Sequence, residues 1–134
     1  MLPDPVPVFE RYASLAHEAD AAFTRVREAH TQNVTCHEGC SDCCHALFDL
    51  TLVEAAYLNT AFTKAFPSGP ERSAILERAH EADRKIHTIK RRAFKAEQAG
   101  EDVSVILAAI AKERVRCPLL DGHDRCVLYA DRPI

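Results

Sequence analysis

The sequence predicts a mainly α, bundle-like helical domain with an irregular cysteine-rich loop and a short cysteine-bearing hairpin or loop at its C-terminal end. Three observations predict it. Proline is missing from residues 8–66 and again from 71–117, so the backbone is free to run helical through both stretches. Within them apolar residues recur three and four apart, the spacing that lines one face of a helix. The few glycines and prolines fall where that spacing stops, at Pro3, Pro5 and Pro7, Gly39, Pro67-Ser68-Gly69-Pro70, Gly100, Pro118, Gly122 and Pro133. No alternation of strands and helices is visible. Neither is a Gly-x-Gly-x-x-Gly or a phosphate-binding Gly-Lys-Ser/Thr, which sets aside a dinucleotide-binding sheet.

Each element has its own signal. Phe9, Tyr12, Ala16, Ala19, Phe23, Val26 and His30 form one stripe, which predicts a first helix over residues 8–32. Thr51-Leu52-Val53-Glu54 has the form of a capping box, in which hydroxyl and carboxylate satisfy each other's unpaired N–H groups. It opens a second helix reaching about Phe66. Ile75, Ala79, Ala82, Ile86, Ile89, Ala93 and Ala96 repeat the spacing among charged residues, with Gly100 as the stop, and give a long helix with a narrow alanine-rich seam. That seam reads as packing within the chain. Asp102 or Ser104 caps a fourth helix carrying Val105, Ile106, Ala109 and Ile110. Beyond Arg116 the pattern changes. Residues 117–120 and 125–129 read as two short extended pieces around Asp121-Gly122-His123-Asp124.

At 134 residues the chain is one domain's worth, and it is read as a single domain over 1–134. With 47% hydrophobic and 28% charged residues its composition is that of a soluble globular protein. The longest apolar run, residues 105–111, is far short of the ~20 residues of a membrane span. The opening Met1-Leu2-Pro3-Asp4-Pro5 lacks the basic and apolar blocks of a signal peptide, so a cytoplasmic location without membrane association is expected. A net charge of -3 provides no overall field to draw the chain to nucleic acid.

The unusual feature is the cysteine distribution. Four of the six cysteines form Cys36-x3-Cys40-x2-Cys43-Cys44, and two more follow at Cys117 and Cys126. In a reducing compartment such thiols do not persist as disulfides, so a tight cluster points first to a metal site. Loops of two or three residues let successive sulfurs converge on one ion, and Gly39 permits the close turn between them. Four-coordinate sites often draw ligands from two separated segments, which brings in Cys117 and Cys126. All six are candidate metal ligands. Residues 28–63 contain no Lys or Arg, whereas Glu38, Asp42 and Asp49 add negative charge. A reactive thiolate needs electropositive neighbours. Their local absence favours ligation over thiol catalysis, with Arg114, Arg116, Arg125 and Arg132 as further positive charge if the tail folds over the cluster. Sulfur ligands suit both zinc and iron-sulfur centres. The adjacent Cys43 and Cys44, whose side chains are expected to diverge, leave two options: one of them is spare, or the centre is larger than one ion.

Together with Thr51-x-x-Glu54, Cys117-Pro118-Leu119, Gly122 and Cys126-x-x-Tyr129-x-x-Arg132-Pro133, the cluster resembles the YkgJ-type cysteine-cluster family, over roughly residues 36–134. The resemblance implies chelation of zinc or iron. Similar patterns in flagellin lysine N-methylases and in proteins called iron-sulfur oxidoreductases imply, as the alternative, redox or metal-assisted transferase activity. Family members usually continue past Arg-Pro with two residues and then Cys-Arg. The resemblance therefore implies either a further cysteine beyond Ile134 or a site that closes without one.

Other motifs carry less. The Cys36-x3-Cys40-x2-Cys43 core also matches the cluster-binding spacing of radical S-adenosylmethionine enzymes, but position 42 is Asp where an aromatic is usual and the chain is too short for their barrel. Glu77-x-x-His80 is the di-iron bundle motif without the second copy such a site needs. His37, His45 and His123 lie beside cysteines and are capable of replacing one. Lys85, Lys90, Arg91, Arg92 and Lys95 read as a solvated helix face, because acidic residues flank them and only Phe94 offers an aromatic platform for nucleic acid. No protein partner, substrate or catalytic residue is named by these patterns.

Overall fold

The computed structural model describes residues 4–134 and is mainly helical, with four α-helices and two short 3-10 turns. Of the N-terminal reading, residues 1–3 lie outside the described residues. The chain divides into two compact units. One comprises residues 4–38, Leu50–Ala65 and Leu128–Ile134, and the other comprises Gly39–Asp49 and Phe66–Val127.

The first unit holds α1 (Val6–Ala29), α2 (Leu52–Ala65) and a 3-10 turn at Tyr129–Asp131. The first helix begins two residues earlier than its apolar stripe predicts. Pro5 and Pro7 do not prevent this, because the first turn of a helix has no use for the N–H that proline lacks. It stops at Ala29, three residues before the predicted end, where His30 leaves the helical region. The capping box of α2 is formed: the Thr51 N–H donates to Glu54 Oε2 at 2.8 Å, and the Glu54 N–H donates to Thr51 Oγ1 at 3.3 Å. Helices α1 and α2 meet through aromatic rings. Tyr57 lies edge-on to Phe9 at 5.6 Å between centroids and tilted against Tyr12 at 4.9 Å. Arg132 ties the last turn to α1 by stacking on Tyr129 and pairing with Asp20 at 2.6 Å. The N-terminal half of the predicted stripe is thus covered, but Phe23, Val26 and His30 are exposed.

The second unit is built on α3 (Pro70–Gln98) and α4 (Val103–Ala111), which pack on each other. Every residue of the predicted α3 seam is covered, with Ile75, Ala82 and Ile89 buried and the rest half-buried. Ala82, Ile89 and Val115 form a small core, with Leu47 and Ile86 against it, so the alanine seam serves packing within the chain. Gly100 ends the long helix at φ +82°, a left-handed conformation that side chains with a Cβ disfavour. Asp102, not Ser104, is the cap of α4. Its carboxylate accepts the Ser104 N–H at 2.8 Å. Of the apolar residues expected on the inner face of α4, only Ile106 is buried, and Val105 remains 51% exposed.

The tail holds no regular strand among the described residues. An isolated antiparallel bridge joins Leu120 to Cys126, the Val127 N–H donates to the Leu119 carbonyl, and the chain then enters the 3-10 turn. The second extended piece therefore ends before Tyr129. Among the described residues no helix is long and apolar enough to cross a membrane.

Candidate metal centre

The cysteine loop starts at Gly39, whose φ of +93° reverses the chain immediately before Cys40. Asp42–His45 then form a single 3-10 turn, closed by the Cys44 N–H donating to the Ser41 carbonyl at 2.9 Å. This turn holds both adjacent cysteines. Cys43 is exposed and Cys44 half-buried, and burial first, then the Cys43 sulfur, raises the Cys44 thiol.

Two backbone hydrogen bonds fasten this turn to the segment after α4. The Val115 N–H donates to the His45 carbonyl at 2.9 Å, and the Cys117 N–H donates to the Cys44 carbonyl at 2.8 Å. As the chain advances from 44 to 45 its partner steps back from 117 to 115, and the tail donates both bonds. Val115, buried in the core, is the anchor. The joining of loop and tail expected from the sequence thus occurs, through main-chain bonds that no residue spacing announces.

Cys126 reaches the same neighbourhood through a braced turn. The Asp121 Oδ1 accepts N–H groups from His123 at 2.8 Å and Arg125 at 3.0 Å, and Arg125 returns its carbonyl to the Asp121 N–H. The left-handed residue here is Asp124 at φ +58°, a conformation aspartate tolerates better than most residues. Arg116 clamps the turn, donating to the carbonyls of Leu120 and Asp121 and to Asp124 Oδ1 at 2.7 Å. The Asp121 carboxyl is accordingly held below the usual aspartate range, first by the Arg125 N–H and then by that of His123.

The electrostatics converge on Cys44. Burial first, then negative charge on Cys43 and Cys117, the hydrogen bond with Cys43 and charge on Cys126 push its thiol up to about 12. Three of the other five candidate sulfurs, those of Cys43, Cys117 and Cys126, therefore act on Cys44. Without a cation, Cys44 holds its proton at neutral pH. Cys40 is half-buried in the same unit, and Cys36 is exposed and belongs to the first unit.

Of the four arginines expected over the cluster, three are engaged in other bonds. Arg116 holds the Asp121 turn, Arg114 donates to the carbonyls of Ala111 and Glu113, and Arg132 pairs with Asp20 in the first unit. Of the nearby acidic residues, Asp49 is paired with Lys90 at 2.9 Å. In the basic stretch of α3, Lys85 pairs with Glu81 and Arg92 with Glu113. His45 has a defined orientation. Its Nδ1 lies 2.9 Å from the Ser41 carbonyl and must be the donor, which leaves Nε2 with the lone pair of a neutral ring. Metal-bound histidines are commonly oriented in this way. The donor set, soft sulfur with one oriented imidazole, fits zinc or iron. Among the described residues no three His, Cys, Asp or Glu side chains stand close enough to share one ion, so these sulfurs are gathered rather than converged.

No family model, no curated protein and no solved structure matches the chain.

Proposed function

We propose that this protein is a metal-binding module that chelates zinc or iron, as an ion or as an iron-sulfur cluster, through its cysteines. Cys40, Cys43 and Cys44 supply ligands from the loop, and Cys117 and Cys126 supply them from the tail. The observation that supports the reading is the pair of main-chain bonds from residues 115 and 117 to the carbonyls of 45 and 44, which brings the tail against the loop so that Cys117 and Cys126 act on Cys44. The resemblance of the cysteine pattern to the YkgJ-type family supports the same reading. The metal's role is in the first place structural. Ordering thiolates around an ion turns its binding energy into folding energy and ties the loop to the tail.

Elemental analysis and an absorption spectrum on protein purified under nitrogen test this reading. Stoichiometric zinc without colour, or iron with sulfide and visible charge-transfer bands, supports it. The second outcome assigns the protein to redox or group-transfer chemistry, since an iron-sulfur centre supplies electron transfer when bound. Protein that holds no zinc or iron and takes up neither on reconstitution excludes it.

A further inference from the structure

The main-chain bond between Cys44 and Cys117 has a consequence independent of metal. A single N–H···O=C bond of 2.8 Å, here the Cys117 N–H on the Cys44 carbonyl, leaves the α-carbons of the two residues roughly 4.5–6 Å apart. Disulfides span about 4.4 to 6.8 Å between α-carbons. The two cysteines are thus held at a bridgeable separation by the backbone itself, from opposite ends of the second unit. Both are half-buried, and the charge on one sulfur acts on the other. Cys43 is less suited to the same partner. It is exposed, and its carbonyl is occupied by the Ala46 N–H within the 3-10 turn.

We infer that Cys44 and Cys117 are a disulfide-forming pair, a redox modification site at which a low-molecular-weight disulfide such as oxidised glutathione is the oxidant. In the first exchange a thiolate of the pair attacks glutathione disulfide, forming a mixed disulfide and expelling one glutathione thiolate. In the second the other cysteine attacks the protein-side sulfur, closing the Cys44–Cys117 bond and expelling the second glutathione thiolate. The pair loses two electrons and two protons. Glutathione disulfide gains both and leaves as two thiols. The closed form withholds these two sulfurs from any metal and fastens the 3-10 turn covalently to the segment after α4.

The test is linkage mapping on the full chain, stripped of metal with a chelator and equilibrated with oxidised glutathione, its helix content followed by circular dichroism. Trypsin separates the candidates well, because residues 28–63 lack Lys and Arg whereas Arg116 and Arg125 release Cys117 alone. Cleavage before Asp42 then parts Cys36 and Cys40 from Cys43 and Cys44, and fragmentation distinguishes the last two. The expected result is a dominant crosslink between Cys44 and Cys117 with a mass loss of about 2 Da, the two hydrogens of the exchange. It disappears in both Cys44→Ser and Cys117→Ser. Unmodified thiols, a dominant Cys43–Cys44 or Cys126 linkage, or a statistical mixture overturns the assignment. The map of the unsubstituted chain decides this even if a variant fails to fold. Because the metal has been removed, failure here is distinct from failure of the chelation reading, which elemental analysis decides separately.

Discussion

At the scale of single residues, the chemistry of the second unit depends on which side chains are already committed. Arg116 and Arg114 spend their donors on carbonyls and Asp124, and Lys90 neutralises Asp49, so these three cations are committed to partners other than the thiols. Under the proposed chelation, replacing a sulfur by a hydroxyl removes a ligand while keeping a side chain of similar size. Cys40→Ser or Cys43→Ser is therefore expected to lower both bound metal and thermal midpoint, read by elemental analysis and thermal unfolding. Full metal occupancy with unchanged stability contradicts this. Asp121 gives a second prediction. Its carboxyl is held low by the N–H groups of Arg125 and His123, so the stability it contributes is present above the unfolded aspartate value of about 3.9 and is lost as pH falls through the lower folded value. Acidification below about pH 4 should open the turn, seen as faster amide exchange at His123 and Arg125. In Asp121→Ala the exchange should already be fast at neutral pH, leaving little acid step.

At the scale of elements, the helices rest on a few specific supports. Thr51→Ala removes one arm of the capping box of α2 and should cost about 1 kcal/mol in denaturant unfolding, with Glu54→Ala giving a similar loss. Ile89→Ala empties the centre of the small core against Ala82 and Val115 and should cost about 2–4 kcal/mol, several times the effect at an exposed position such as Leu76. The helices were legible because their signals are local. Three-four spacing marks the buried face of α3 completely, from Ile75 to Ala96, and Thr51-x-x-Glu54 marks the start of α2. Legibility ends where structure depends on distant partners. Phe23 and Val26 continue the stripe of α1 but find no cover, because periodicity reports only that a face is apolar. The choice of Asp102 over Ser104 rests on one hydrogen bond. In the candidate centre the six cysteines were visible from spacing, whereas the 3-10 turn that holds Cys43 and Cys44 and the pairing of Cys44 with Cys117 were not. Both arise from main-chain hydrogen bonds that any side chain permits.

At the scale of the whole molecule, the second unit depends on a connection between segments about seventy residues apart, and closing so long a loop carries an entropic cost that increases with the logarithm of its length. A metal bridging loop and tail would offset that cost, and its removal should have a global effect. Treating the loaded protein with a chelator is expected to lower the thermal midpoint and to weaken amide protection at Val115 and Cys117, while the capping box at Thr51 stays protected until unfolding. Equal loss of protection at both places would mean that the metal does not act through the loop–tail junction.

The division into units has a further consequence, for synthesis. The chain leaves the first unit at residue 38, returns at 50, leaves again at 65 and returns for its last seven residues. The second unit therefore has all its parts once Val127 has emerged from the ribosome, whereas the first still lacks Leu128–Ile134, including the Arg132 that pairs with Asp20. In the order of the chain the segments of the cysteine-bearing unit thus end at Val127, and the aromatic unit receives its turn at Tyr129–Asp131 after them. A deletion of residues 128–134 would therefore remove an integral piece of the first unit and leave the second with all its segments.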